Sequence, residues 1–249
     1  MTDLKKNPGI REALISFLRL LRLNRPIASF YYRWIHGFAS AGKDLPTAID
    51  RCFERLAEMK TCSPGDYVEF GVFKGYSYLR AYNAAQTHHL TKMRFFGFDS
   101  FSGIPDVTGV DRLPNGPFYR GQFSWPLTRV RSDLDKRGID WNKCHLIEGH
   151  FDQTLTAETR NRINLSKAAI ALIDSDLYSS ARTALAFLRY IIADGTILIM
   201  DDWNAFDSDD SRGERLALKE FLSSNPQWRA DPWFSYGLYG QVFILRLNH

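Results

Sequence analysis

The sequence predicts an α/β fold: a doubly wound, seven-stranded, mostly parallel sheet with an N-terminal helical extension. Three observations lead there. Short apolar runs alternate with helical periodicities over most of the chain, the pattern left by strands joined through crossover helices. Two of those runs, Ala168–Ile173 and Thr196–Met200, are almost wholly apolar, as strands buried on both faces are. The last two runs, Trp228–Trp233 and Gly240–Leu247, have no helix between them, which predicts a terminal antiparallel hairpin.

Residues 1–45 read as a helical arm. Ile10, Leu14, Phe17, Leu18 and Leu21 recur at helical spacing, with Arg11, Arg19 and Arg22 mostly off that face. Pro26 ends or restarts this helix, and Phe30, Tyr31, Tyr32, Trp34 and Ile35 form an aromatic cluster. Residues 1–33 hold seven Lys or Arg against two Asp or Glu, so the arm carries the basic excess of a chain whose net charge is +4. Such a segment packs on the body or on a second subunit, or touches an anionic membrane surface. A homo-oligomer is expected.

Gly-Lys-Asp-Leu-Pro at 42–46 reads as a break, and the main domain, 46–249, opens with a helix over Thr47–Met59. Strands follow at Tyr67–Phe70, Arg94–Phe98 and Cys144–Ile147, alternating with helices over Tyr76–Ala85, Leu127–Lys136 and Thr156–Ile163. The fourth strand runs to Asp174, its helix covers Ala181–Ile191, the fifth strand reaches Met200, and a last helix spans Arg215–Leu222. Between Phe101 and Pro126 there is no periodicity, only Gly, Pro and aromatics, which reads as a lid or binding loop. Phe118, Tyr119, Phe123 and Trp125 there either stack on a ligand or pack within the lid.

Composition narrows the function. With 249 residues, 45% hydrophobic and 24% charged, the chain suits a globular α/β domain. No apolar run reaches the length of a membrane span, and the N-terminus lacks the core and cleavage site of a signal peptide. Cys52, Cys62 and Cys144 show no metal-ligand spacing and read as reduced thiols, so a cytoplasmic setting is expected. The body outside the arm is nearly neutral, which argues against a nucleic-acid surface.

The chemistry gathers at strand ends, where open parallel sheets bind ligands. Asp174 and Asp176 end the fourth strand; Asp201 and Asp202 end the fifth. Each could simply cap the helix that follows. Four crowded carboxylates instead call for a cation or a proton, and a hard divalent ion suits aspartate oxygens. Glu69-Phe-Gly-Val-Phe-Lys-Gly75 at the first strand end is neither a dinucleotide fingerprint nor a phosphate loop. Glu69 there suits a cationic amino group, and Asp99 after the second strand suits a pair of ribose hydroxyls. A nucleoside site that carries an amino acid and no phosphate contacts matches S-adenosylmethionine.

The chain resembles the macrocin O-methyltransferase family of class I methyltransferases, which act on sugar hydroxyls. The resemblance rests on Glu69–Gly75, Phe98-Asp-Ser-Phe-Ser-Gly-Ile-Pro105, Glu148-Gly-His-Phe-Asp-Gln-Thr-Leu155, Asp174–Ser180, Gly195–Trp203 and Gly213–Leu218, in family order. It implies that Glu69, Gly71, Gly75 and Ser77 hold the methionine part of S-adenosylmethionine, Asp99 with Ser100 the ribose, and Gly149 with Phe151 the adenine. It implies that Asp174, beside the cofactor, joins Asp201 and Asp202 around Mg2+. Asp176 is then the general base or a further ligand. Ser175 and Trp203 depart from the family, which usually has Gly and Tyr there.

Methyl transfer to an acceptor oxygen follows as the expected reaction, with the cation acidifying the hydroxyl. His150, after Glu148-Gly149, is an alternative base; His88 and His89 read as surface residues at a helix end. The acceptor expected is a glycosylated natural product, glycolipid or polysaccharide. A catechol-like acceptor and a non-catalytic cofactor-binding partner protein are the competing readings.

Overall fold

The computed structural model describes residues 38–59, 65–112 and 118–248. The helix expected over Ile10–Leu23, the aromatic cluster at 30–35 and Cys62 lie outside them. The chain divides into Met1–Lys43 and Asp44–His249, and the second unit holds all of the sheet.

The seven strands are β1 (Asp66–Phe70), β2 (Phe95–Asp99), β3 (Cys144–Glu148), β4 (Ala168–Ile173), β5 (Ile197–Met200), β6 (Trp228–Tyr236) and β7 (Gly240–Leu247), ordered β3-β2-β1-β4-β5-β7-β6. The first five are parallel neighbours; β7 runs antiparallel to β5, and β6 antiparallel to β7. The chain builds outward from β1 to β3, then returns to place β4 on the other side of β1. That reversal opens a crevice at the carboxyl ends of β1 and β4.

Helices α1 (Phe38–Glu58), α2 (Tyr76–Thr87), α3 (Leu127–Asp135), α4 (Phe151–Thr154), α5 (Ala157–Arg162), α6 (Tyr178–Leu188) and α7 (Gly213–Ser224) join the strands. Every residue of β1 and β4 is buried, and alternate residues face opposite layers. Tyr67, Phe95, Ile170, Leu172, Ile197 and Ile199 form one core with Ile49, Phe53, Tyr78 and Leu134. Val68, Phe70, Phe98, Ala171, Ile173 and Leu198 form the other with Leu185, Leu188, Leu218 and Phe221.

Of the boundaries that differ from the sequence expectation, two carry a structural lesson. Gly42 and Pro46 do not interrupt the helix, which starts at Phe38 and is continuous across both. A proline inside a helix forfeits its own N–H bond, to residue 42, and crowds that carbonyl; packing of Ile49, Phe53 and Leu56 offsets the cost. Helix α6 starts at Tyr178 rather than Ala181, for a reason that lies in the long loop.

The described parts of that loop pair with each other. Ile104 N–H donates to the Gln122 carbonyl (2.8 Å) and Gly121 N–H to the Ile104 carbonyl (2.9 Å), zipping its two arms together. A short 3-10 turn, Gly109–Asp111, delivers buried Asp111 to the start of α6. Its carboxylate accepts from the N–H groups of Tyr178 (2.7 Å) and Ser179 (3.0 Å). The capping function weighed for Asp174 and Asp176 therefore falls to a residue far away in sequence.

Candidate active site

Parallel register sets the site. Asp174 N–H donates to the Phe70 carbonyl (2.9 Å) and Asp201 N–H to the Ile173 carbonyl (3.0 Å), so the first residues past β4 and β5 stand side by side. Gly71 allows the first of these approaches. Its φ is +94°, and a Cβ there would collide with the Asp174 carbonyl.

The four aspartates converge beside this turn. Asp202 accepts from the Asp176 N–H through Oδ2 (3.1 Å), tying the two acidic turns together. Asp176 itself sits at φ +60°, in the left-handed region that costs a non-glycine residue on the order of 1 kcal/mol. Burial pushes the carboxyls of Asp174, Asp176, Asp201 and Asp202 above the usual range; for Asp174, Asp176 and Asp202 their mutual repulsion adds to it. The Tyr236 hydroxyl donates to Asp201 Oδ1 at 2.7 Å and partly opposes the rise there.

A fifth carboxylate joins them. Glu214, in the first turn of α7 and 1% exposed, accepts from the Asp202 N–H through Oε2 at 3.2 Å. Its Oε1 is buried without a partner, as is Ser175 Oγ. Burial first, then Asp202, Asp201 and Asp174, hold Glu214 well above the ordinary carboxyl range. Among the described residues no three acidic, His or Cys side chains are arranged as a closed ligand set. The donors are nonetheless of the kind a hard divalent cation takes: crowded carboxylate oxygens, one of them orphaned.

Two further carboxylates stand on β1 and β2. Glu69 is fully buried and accepts from Tyr67 OH and Ser77 Oγ, both at 2.6 Å. Burial, against the pull of those two donors, raises its carboxyl to about 8. Asp99 is more heavily engaged than its expected ribose role suggests. Oδ2 accepts from the Val72 and Phe73 N–H groups (2.7 and 2.8 Å), and Oδ1 from the Phe101 N–H (2.6 Å). It pins the Gly71–Gly75 turn to the end of β2. Gly75, at φ +78°, starts α2; Ser100 Oγ donates to the Gly103 carbonyl (2.8 Å).

Gly149 N–H donates to the Asp99 carbonyl (3.0 Å), and Phe151 meets Phe70 edge-to-face at 6.0 Å. His150 caps α4 at the end of β3. Three strand spacings separate β3 from β4, about 14 Å at the usual interval, so His150 belongs to the far side of the crevice from the aspartates. His145 stacks on Phe96 at 4.9 Å, and His88 ends α2. Of the loop aromatics, Phe123 packs on Phe73, Phe118 on Phe206, Trp125 lies beneath Lys74 and Arg129, and Tyr119 is exposed. Trp203 packs on Phe243 under the Arg215 guanidinium.

Asp111, Glu214 and Tyr236 were not singled out as site residues by sequence reasoning. Asp111 lies in a segment without periodicity, and Glu214 looks like an ordinary first-turn acid. Tyr236 falls beyond the expected end of its strand. The pairing of Tyr236 with Gly240 follows from the register of the hairpin, not from a local pattern in the sequence.

A sheet ordered 3-2-1-4-5-7-6, with a glycine turn after β1 and acids closing β2, β4 and β5, is the class I methyltransferase fold. The chain belongs to the macrocin-O-methyltransferase (TylF) family, whose family model matches residues 36–223. It is 31% identical over 176 residues to the 8-demethyl-8-(2,3-dimethoxy-alpha-L-rhamnosyl)-tetracenomycin-C 4'-O-methyltransferase of Streptomyces olivaceus, covering 65% of this chain and 66% of that protein. It is 26% identical over 183 residues to the demethyldecarbamoylnovobiocin O-methyltransferase of Streptomyces niveus, covering 65% of each. The chain thus spans just under two thirds of the length of the curated relatives it matches. Among solved structures, the calicheamicin methyltransferase CalS11 superposes with a TM-score of 0.66 at 22% identity, over 98% of this chain and 88% of that one. Among the described residues no helix is long and apolar enough to cross a membrane.

Proposed function

We propose that this protein transfers a methyl group from S-adenosylmethionine to a sugar hydroxyl of a glycosylated small molecule, with a divalent cation such as Mg2+ held by Asp174, Asp201 and Asp202. The observation that carries this reading is the gathering of carboxylates at the ends of β4 and β5, beside Glu69 and Asp99 on β1 and β2. A fold gains nothing from such repulsion; a cationic ligand removes it. The named chemistry of the tetracenomycin relative, methylation of a rhamnosyl group, supports the sugar as acceptor class.

In this reading the buried Glu69 pairs with the cofactor's ammonium, and Ser77 keeps its carboxylate aimed. Asp99 uses the capacity left on Oδ1 for a ribose hydroxyl, and Gly149 with Phe151 borders the adenine. When bound, the cation lowers the pKa of the acceptor hydroxyl. Asp176 takes the proton of that hydroxyl as the C–O bond forms and the C–S bond breaks, leaving S-adenosylhomocysteine. Its backbone, at φ +60°, presents its N–H to Asp202 Oδ2. The test is mass spectrometry of a panel of glycosides incubated with cofactor and Mg2+. A gain of one methyl on the sugar is expected; gain only on catechols would reassign the acceptor.

Glu69 yields a separate prediction. With its carboxyl near 8 in the free protein, Glu69 is mostly protonated at pH 7 and must ionise to meet an ammonium. S-adenosylhomocysteine binding at pH 7 should therefore release close to one proton, read by calorimetry in buffers of different ionisation enthalpy. Glu69→Gln should abolish that release and weaken binding by about 2 kcal/mol, roughly 30-fold. The free protein's stability should also carry the sign of a raised acid. The contribution of Glu69 is most favourable below the unfolded value of 4.5 and is lost as pH rises toward 8.

A further inference from the structure

Tyr236 reaches the acidic cluster from the edge of the sheet, two strands beyond β5. It sits at the end of β6, facing Gly240 across the hairpin. Its hydroxyl donates to Asp201 Oδ1 at 2.7 Å. A Cβ at Gly240 would fall inside the Tyr236 ring, so this glycine is the space in which the ring stands. The hairpin therefore places a neutral side-chain donor on one oxygen of one aspartate, among carboxylates whose other donors are backbone N–H groups.

Such a contact has a definite physical effect. Asp201 is flanked by Asp174 and Asp202, and repulsion alone would rotate its side chain away from them. A donor on Oδ1 fixes the rotamer and spreads part of the negative charge, leaving Oδ2 as the oxygen offered to an ion. We propose that Tyr236 is a positioning residue for Asp201 in cation binding, with Gly240 providing the room its ring needs. This rests on the cation-dependent reading above. Tyr236 touches neither the methyl donor nor the acceptor in this role. It sets how well Asp201 is prepared before the ion arrives.

The test uses Mn2+ alone as probe, on full-length protein loaded with S-adenosylhomocysteine, followed by water proton relaxation. Tyr236→Phe removes one oxygen and leaves the ring. It should raise the Mn2+ dissociation constant about 10- to 100-fold, the usual cost of losing a hydrogen bond to a metal-binding side chain. S-adenosylhomocysteine affinity should stay within about twofold. Turnover should recover at saturating cation, so the loss appears in the concentration of cation required rather than in kcat. Gly240→Ala, which displaces the ring without touching Asp201, should reproduce the weakened Mn2+ binding. If Tyr236→Phe binds Mn2+ as the parent does while Asp201→Asn does not, positioning by Tyr236 is overturned and the cation site stands. If the parent protein binds no Mn2+, the cation site fails and this inference with it.

Discussion

Replacing Asp201 with asparagine should lower turnover on the order of 10³-fold while S-adenosylhomocysteine still binds within about twofold of the parent. The two readouts separate because the residue belongs to the β5 side of the crevice. In the proposed reading the cofactor is held instead by Glu69 on β1, Asp99 on β2 and Ser77 on α2. The same substitution should raise the melting temperature of the free protein by a few degrees. Asp201 repels Asp174, Asp176, Asp202 and Glu214. Removing about 1 kcal/mol of that repulsion shifts a domain of this size by roughly 2–4 °C. Asparagine keeps the Oδ1 acceptor that Tyr236 engages, so the rise reports charge and not a lost hydrogen bond. A variant that is stabler and inactive marks residues kept for a ligand rather than for the fold. Loss of stability together with loss of activity would mean instead that Asp201 anchors the β5 turn.

The second large effect is structural. Gly71→Ala should cost at least about 3 kcal/mol and lower the melting temperature by roughly 6 °C or more. Two terms combine. Alanine at φ +94° is strained, and its Cβ collides with the Asp174 carbonyl at the closest approach of the β1 and β4 ends. Gly138→Ala separates them. Gly138 has φ +76° but nothing within 4 Å of a Cβ, so that variant should lose only about 1 kcal/mol from backbone strain. Because Asp174 would be pushed out of line, Gly71→Ala should also weaken cofactor and cation binding together. Equal melting temperatures for the two variants would contradict the close approach.

Those two residues also indicate what the sequence alone could reveal. Gly71, Asp174 and Asp201 were legible because strand ends are marked locally: an apolar run stops, and a turn residue or an acid follows. Parallel register then does the rest, since adjacent strand ends must stand side by side. Contacts that cross the chain left no such mark. Asp111 caps α6 from 67 residues away, which is why the start of α6 at Tyr178 was missed. Tyr236 and Asp201 are 35 residues apart. The register shift between Pro232 and Phe234 also breaks the alternation that would have extended β6 to Tyr236. Glu214 meets Asp202 only through the packing of α7 against α6 and the core they share. Asp99 was placed at the site from its strand end, but its three backbone partners depend on the fold of two loops. The continuity of α1 through Pro46 is a further case where packing overrides a local signal.

That a divalent cation among these carboxylates readies an acceptor hydroxyl for methylation is tested most directly by one measurement. Methyl transfer to a glycoside acceptor is followed by mass spectrometry with metal-free protein, with added Mg2+, and with Mg2+ plus excess chelator. Turnover confined to the Mg2+ sample, and absent there for Asp201→Asn, is the expected result. Full turnover in chelator would contradict it.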